Sequence, residues 1–100
     1  MGLKLFVDDA RKQPKGFECA QSYDYALILY RAFGEFEFVD LDYDLNEKHT
    51  GLDILVWMKE NGKHPGHINI HSDHIEGRVL MRRYAEKNFP NARVTAVALE

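Results

Sequence analysis

Three hydrophobic runs, each ending in polar or acidic residues, constrain this chain more than any other feature. Leu3-Lys4-Leu5-Phe6-Val7 leads into Asp8-Asp9, and Phe36-Glu37-Phe38-Val39-Asp40-Leu41 leads into Asp42-Tyr43-Asp44. Ile68-Asn69-Ile70 leads into His71-Ser72-Asp73-His74. Each run reads as a buried strand, and segments with helical spacing lie between them, which together imply a parallel sheet with helical crossovers. In an open sheet of that kind a site forms outside the carboxyl ends of the strands. Carboxylates gathered there are hard oxygen ligands, suited to Mg²⁺ or Mn²⁺ and so to phosphate chemistry.

The first strand is expected over 3–8. Ala10 to Gly16 follows as a basic loop broken by Pro14 and Gly16. A short strand is expected over 18–21. Ser22 is placed to cap a helix whose stripe is Ala26, Leu27, Leu29, Tyr30 and Phe33, and Gly34 closes it. A strand over 36–42 precedes a helix capped by Thr50, with Asp53 as the capping-box partner. Leu52, Leu55, Val56 and the Lys59 stem are expected to face inward, and Gly62 ends this helix. A strand over 67–71 precedes a helix over 76–88, with Val79, Leu80 and Tyr84 inward. Phe89-Pro90-Asn91 stops that helix, and Arg93 to Leu99 forms the last strand.

The order is therefore β-β-α-β-α-β-α-β, with right-handed crossovers. The connection over 9–17 is too short for an ordinary crossover helix. The first crossover is thus reduced, no helix follows the last strand, and one sheet face is left under-covered. A homodimer would close it.

One hundred residues correspond to one domain, 1–100. The net charge of −3 gives no global attraction to nucleic acid or anionic membrane. The single Cys19 excludes an internal disulfide and fits a reducing cytosol; its apolar setting reads as buried and inert. The N-terminus runs straight into a strand, without a signal-like leader, and no apolar stretch is long enough to span a bilayer. The expectation is a cytoplasmic protein with no membrane segment.

The motif set resembles a receiver domain of the flavodoxin-like type. Asp8-Asp9 stands for the acidic pair after the first strand. Asp42 stands for the phosphoacceptor in Asp42-Tyr43-Asp44-Leu45, with Thr50-Gly51-Leu52-Asp53 opening the next helix, and Ser72 for the hydroxyl residue. The lysine that receivers carry after the fifth strand has no counterpart in Ala96 to Glu100. The cyclic-phosphate processing receiver family is a closer resemblance. Its D-D-x-R-x-x-P is matched by Asp8-Asp9-Ala10-Arg11 with Pro14, its D-H-D-L type motif by Asp42 to Leu45, its T-G by Thr50-Gly51 and its H-S by His71-Ser72. The chain departs at Tyr43, where the family has histidine, and near His74, where it has asparagine. The resemblance implies a doubly wound five-stranded sheet in the order 2-1-3-4-5. It also implies processing of cyclic phosphates on RNA ends or nucleotides.

Asp8, Asp9 and Asp42 at neighbouring strand ends crowd negative charge, which a cation would relieve. The expected metal ligands are Asp8, Asp9, Asp42 and Asp44. His71 is the expected general acid or base, Ser72 a donor to a phosphoryl oxygen and Arg11 a bidentate phosphate contact. Each has a plainer counterpart. Asp8-Asp9 also fits an Asx turn, Asp44 a loop hydrogen-bonder, Arg11 a solvated charge beside Lys12 and Lys15, and His71 a structural histidine. His74 reads as a helix cap, and Tyr43 either gates the site or packs over its loop. A zinc reading of His64, His67, His71 and His74 is weakened by distance: His67 and His71 in one strand stand roughly 13 Å apart at about 3.3 Å per residue and cannot share one ion, which leaves only His71 with His74, without cysteines. Arg78 with Arg82, and Arg83 with Lys87, form either a basic flank that guides a phosphate or a solvated face paired with Glu76 and Glu86. Two functions fit these residues: a Mg²⁺-dependent phosphoesterase, or an atypical receiver or binding module that accepts a phosphoryl group on Asp42.

Overall fold

The computed structural model describes residues 2–97. Its strands are β1 (Leu3–Val7), β2 (Glu18–Ala20), β3 (Phe36–Leu41), β4 (His67–His71) and β5 (Arg93–Val97). All pair in parallel, in the order β2-β1-β3-β4-β5. The helices are α1 (Tyr23–Phe33), α2 (Gly51–Glu60) and α3 (Ile75–Asn88). The remainder of the expected last strand, Ala98 and Leu99, lies outside the described residues. Among the described residues, no helix follows β5 and none is long and apolar enough to cross a membrane.

The direction of each crossover explains the layering. β2 to β3, β3 to β4 and β4 to β5 all step the same way across the sheet. Right-handed connections then lay their helices on one face. Accordingly α1 packs beside α2, and α2 beside α3. β1 to β2 steps the opposite way, and its connection contains no helix. From that connection Phe17 packs edge-on against Phe6 and Phe38 on the other face.

Strand alternation sorts the side chains between these two environments. Leu5, Val7, Val39, Leu41, Ile68 and Ile70 are fully buried under the helices. Burying each such side chain contributes about 1.5–3 kcal/mol. The alternate positions, Phe6, Phe38, Asp40, His67, Asn69 and His71, fall on the face without helices. The fold therefore has one aliphatic layer and one mixed polar and aromatic layer.

Local signals place the helix starts. The Ser22 side chain accepts from Tyr25 N at 3.1 Å, and Thr50 and Asp53 form a reciprocal capping box. The inward faces differ from the hydrophobic count. In α2 the buried residues are Gly51, Ile54, Leu55 and Met58, while Leu52 and Val56 are half-buried and Lys59 is exposed. Gly51 sets this rotation. A Cβ there would collide with the Asp42 carbonyl oxygen and stand 2.7 Å from Met81 Cε. In α3 the buried row is Gly77, Met81 and Ala85, while Val79 and Leu80 are exposed and Tyr84 is half-buried. Small residues let α3 approach its neighbours closely, and that overrides the larger apolar side chains one step round the helix. Phe33, at the end of α1, is also exposed. Cys19 is half-buried rather than buried, because β2 is an edge strand. Its thiol faces the Phe17 carbonyl at 3.5 Å. Burial and the nearby Glu18 charge push its pKa up, away from the reactive thiolate.

Candidate metal and phosphate site

The carboxyl ends of β1, β3 and β4 open into a cleft lined by Asp8, Asp9, Arg11, Asp42, Asp44 and Ser72, with Ala10, Asp73 and His74 at its edge. Parallel pairing brings these loops together: Val7 stands opposite Leu41, and Leu41 opposite Ile70. The residues that end each strand must therefore converge.

Asp8 is buried. Its Oδ1 accepts from Ala10 N at 2.8 Å and Arg11 N at 2.9 Å, while Oδ2 lies 2.9 Å from His71 Nε2. The Asx turn and the site carboxylate are thus the same residue, not alternatives. Asp42 is half-buried beside Ser72, at the end of the neighbouring strand. Ser72 is buried, and its Oγ accepts from His74 N at 3.1 Å. The hydroxyl therefore ties down the loop that follows β4, beside Asp42. Asp9 and Asp44 stand on the rim. Asp44 Oδ1 accepts from Asn46 N at 2.9 Å, where the chain turns through a left-handed Asn46. Arg11 bridges two loops, with Nη2 3.5 Å from Asp73 Oδ2 and Nε 3.9 Å from Asp8 Oδ2.

His71 does not line the cleft. Its ring is 3% exposed and lies behind Asp8, stacked on Phe6 at 4.9 Å with an interplanar angle of 3°. Nδ1 lies 2.6 Å from Asp40 Oδ1, and Nε2 meets Asp8 Oδ2. Ionised carboxylates only accept, so both ring nitrogens donate and the ring is an imidazolium. Burial by itself pushes the His71 pKa down, but its bonds to Asp40 and Asp8 and their charges outweigh that and raise it. Burial likewise pushes Asp8 up, and the Arg11 and Ala10 N–H groups together with His71 bring it below its ordinary value. Asp42 goes the other way. Burial and the charge of Asp8 raise it, against smaller opposing effects of His71 and Ser72.

One ligand atom each of Asp8, Asp42 and His71 falls within a 4.8 Å group. The His71 Nε2 proton is committed to Asp8, so the donors facing a cation are the oxygens of Asp8 and Asp42, with Asp9 on the rim. That hard-oxygen set fits Mg²⁺ or Mn²⁺, which take one or two carboxylates and complete their shell with water and phosphate.

Tyr43 and His74 pack against each other, Tyr43 half-buried and His74 still exposed at the cleft. His74 caps α3, with Nδ1 accepting from Gly77 N at 2.9 Å, and its ring lies 4.7 Å from that of Tyr43. The Tyr43 ring covers Gly77 so closely that a Cβ there would collide with Tyr43 Cγ. Gly77→Ala is therefore expected to cost about 1–3 kcal/mol through overpacking. Adding Tyr43→Ala should recover part of that loss in a double-mutant cycle read by urea unfolding, and strict additivity would show that the contact does not matter. Arg78 is likewise structural, donating from Nη1 to the Ser72 carbonyl at 2.6 Å. Arg82 pairs with Glu86 at 3.4 Å, while Arg83 and Lys87, equally exposed, make no ion pair among the described residues.

Sequence reasoning passed over Asp40, the second partner of His71. The available signal was periodic: polar residues, Asp40 in β3 and Asn69 and His71 in β4, alternate with the buried aliphatic residues Val39, Leu41, Ile68 and Ile70.

A family model described as the cyclic-phosphate processing receiver domain matches residues 3–87 of the chain. No curated protein matches it.

Proposed function

Because the chain belongs to the cyclic-phosphate processing receiver family, we propose that its cleft opens a cyclic phosphate on a nucleotide or RNA end by hydrolysis. The observation that carries this reading is the convergence of Asp8, Asp9 and Asp42 with Arg11 in one cleft at the strand ends. Carboxylates for a divalent cation and a guanidinium for a phosphate are the two halves of a phosphoester site.

In the reaction the oxygen of water bonds to phosphorus and one ring P–O ester bond breaks. The departing oxygen takes up a proton, and a phosphomonoester is left. Asp8, Asp9 and Asp42 would hold Mg²⁺ or Mn²⁺, which supplies polarisation of the phosphoryl oxygens and a more acidic water when bound. Arg11 exchanges its long contact with Asp73 for a bidentate contact with the phosphate. Ser72 ties down the loop beside Asp42. With Nδ1 of His74 accepting from the helix, the proton of the neutral ring sits on Nε2, which offers a donor to a phosphate oxygen. His71 acts from behind Asp8 instead of meeting substrate.

The placement of Asp42 beside the Ser72 hydroxyl supports a second reading, phosphoryl acceptance at Asp42. Turnover of 2′,3′-, 3′,5′- and 1″,2″-cyclic phosphates with Mg²⁺ or Mn²⁺, run beside labelling from a small phosphodonor, separates the two. Metal-dependent ring opening without stable labelling is expected. Arg11→Ala should lower kcat/KM by about 10- to 100-fold, equivalent to the roughly 1.5–3 kcal/mol of a charged hydrogen bond. Stable label on Asp42 with no turnover would replace the hydrolase by the acceptor.

A further inference from the structure

A continuous line of hydrogen bonds crosses the helix-free face of the sheet and ends at the cleft. Asp40, Asn69 and Thr95 are register partners on β3, β4 and β5. The Thr95 hydroxyl donates to Asn69 Oδ1 at 2.5 Å, and Asn69 Nδ2 donates to Asp40 Oδ1 at 2.9 Å. His71 Nδ1 donates to that same oxygen at 2.6 Å, and His71 Nε2 donates to Asp8 Oδ2 at 2.9 Å. Because the one Thr95 hydroxyl hydrogen goes to Asn69, His67 must donate to Thr95 Oγ1 from Nε2, at 2.8 Å. Every bond in the line then has an assigned donor, and Asp40 Oδ1 is the node where two donors meet.

The His71 ring has little freedom left. Phe6 lies parallel to it on one side, and a carboxylate stands at each nitrogen. We propose that Asp40 is a positioning residue of the cleft: it fixes the His71 ring, and the ring fixes Asp8 Oδ2. The inference rests on the reading that Asp8 helps to hold a divalent cation. A buried ion pair is often no more stabilising than apolar residues of the same volume. What this one supplies is a single orientation for Asp8, reached through one intermediary, as second-layer partners of metal ligands do.

The test compares Asp40→Ala, which removes the acceptor, with Asp40→Asn, which keeps an oxygen for both donors. Mn²⁺ affinity is read by electron paramagnetic resonance titration on protein shown to be folded by circular dichroism. The His71 ring is read by ¹⁵N NMR. Asp40→Ala is expected to weaken Mn²⁺ binding by about 10- to 100-fold and to shift the Nδ1 resonance, while Asp40→Asn restores most of the affinity. Should Asp40→Ala fail to fold, Asp40→Ser, whose hydroxyl is too short to reach the ring, carries the same comparison. Native Mn²⁺ affinity in a folded Asp40→Ala or Asp40→Ser protein overturns the proposal, and so does an equal loss in Asp40→Asn. A parent protein that binds no Mn²⁺ overturns it as well. A parent that binds Mn²⁺ but opens no cyclic phosphate sinks the hydrolase reading alone, and the Asp40 comparison still decides this one.

Discussion

His71→Ala is expected to destabilise the fold by about 3 kcal/mol, the low end of the loss caused by removing one partner of a buried ion pair. The substitution leaves the Asp8 and Asp40 carboxylates with a hole between them and no imidazolium. Asp8 is nearly sealed, with its side chain 1% exposed, and keeps its two backbone N–H bonds. Asp40, at 18%, regains some water. Those compensations are why the low end is chosen. Urea unfolding with an unchanged m-value should show the loss as a lower midpoint, and a change under about 0.5 kcal/mol, the usual scatter of surface substitutions, would remove the ion pair from the structural supports of the fold.

The pH dependence has a defined sign. His71 has a folded pKa raised above its unfolded value. Its stabilisation is therefore fully present below about pH 6.5, the unfolded value, and is lost as pH rises through the folded value. Asp8 has a lowered folded pKa. Its contribution is present above about pH 3.9 and is lost as pH falls through the folded value. The parent should thus be most stable between these limits, and its stability should decline as pH rises past about 6.5. The His71→Ala protein should lose the alkaline slope. An identical slope in both proteins would place it elsewhere.

Asp42→Asn should lower turnover by about three orders of magnitude, if an oxygen ligand to a catalytic cation is worth several kcal/mol at 1.36 kcal/mol per tenfold. The same change should stabilise the metal-free protein. Burial and Asp8 raise the Asp42 pKa, so its ionised form costs folding energy once pH exceeds the unfolded value near 3.9 and does so fully above the folded pKa. Asparagine removes that charge. A gain of about 0.5–2 kcal/mol is the usual size of such a relief. Added Mg²⁺ should then reverse the order. At 100 times the dissociation constant it stabilises the parent by about 2.7 kcal/mol and does little for the variant. Melting temperatures of both proteins with and without Mg²⁺ give all four values. If Mg²⁺ raised the two equally, Asp42 would not be a ligand, and if Asp42→Asn melted lower without metal, the carboxylate would be structural.

Much of the frame was legible because it depends on short-range rules. The three runs with acidic ends gave parallel strands and a site at their carboxyl ends. Ser22, Thr50 and Asp53 marked helix starts because a capping side chain must bond to backbone N–H groups two or three residues on. The inward faces of α2 and α3 were harder. Hydrophobicity ranks Val79 and Leu80 above Gly77 and Ala85, yet packing distance selected the small residues. The site was legible as a set and less so in its roles. Asp8, Asp9, Asp42, Asp44, Arg11 and Ser72 line one cleft. His71, equally prominent in the sequence, turns onto the helix-free face behind Asp8.

What the sequence determined by itself is the order of strands and helices, where the helices begin, and which strand ends carry charge, since periodicity, caps and turns are properties of neighbours along the chain. The tertiary structure decided which side of the sheet each polar strand residue occupies and what it meets there. Asp8, Asp40 and His71 are far apart in sequence and become one hydrogen-bonded group only when β1, β3 and β4 lie in register. A strand shifted by one residue would send each of those side chains to the other face. The pairing of strands therefore set the role of His71, and no local pattern contains it.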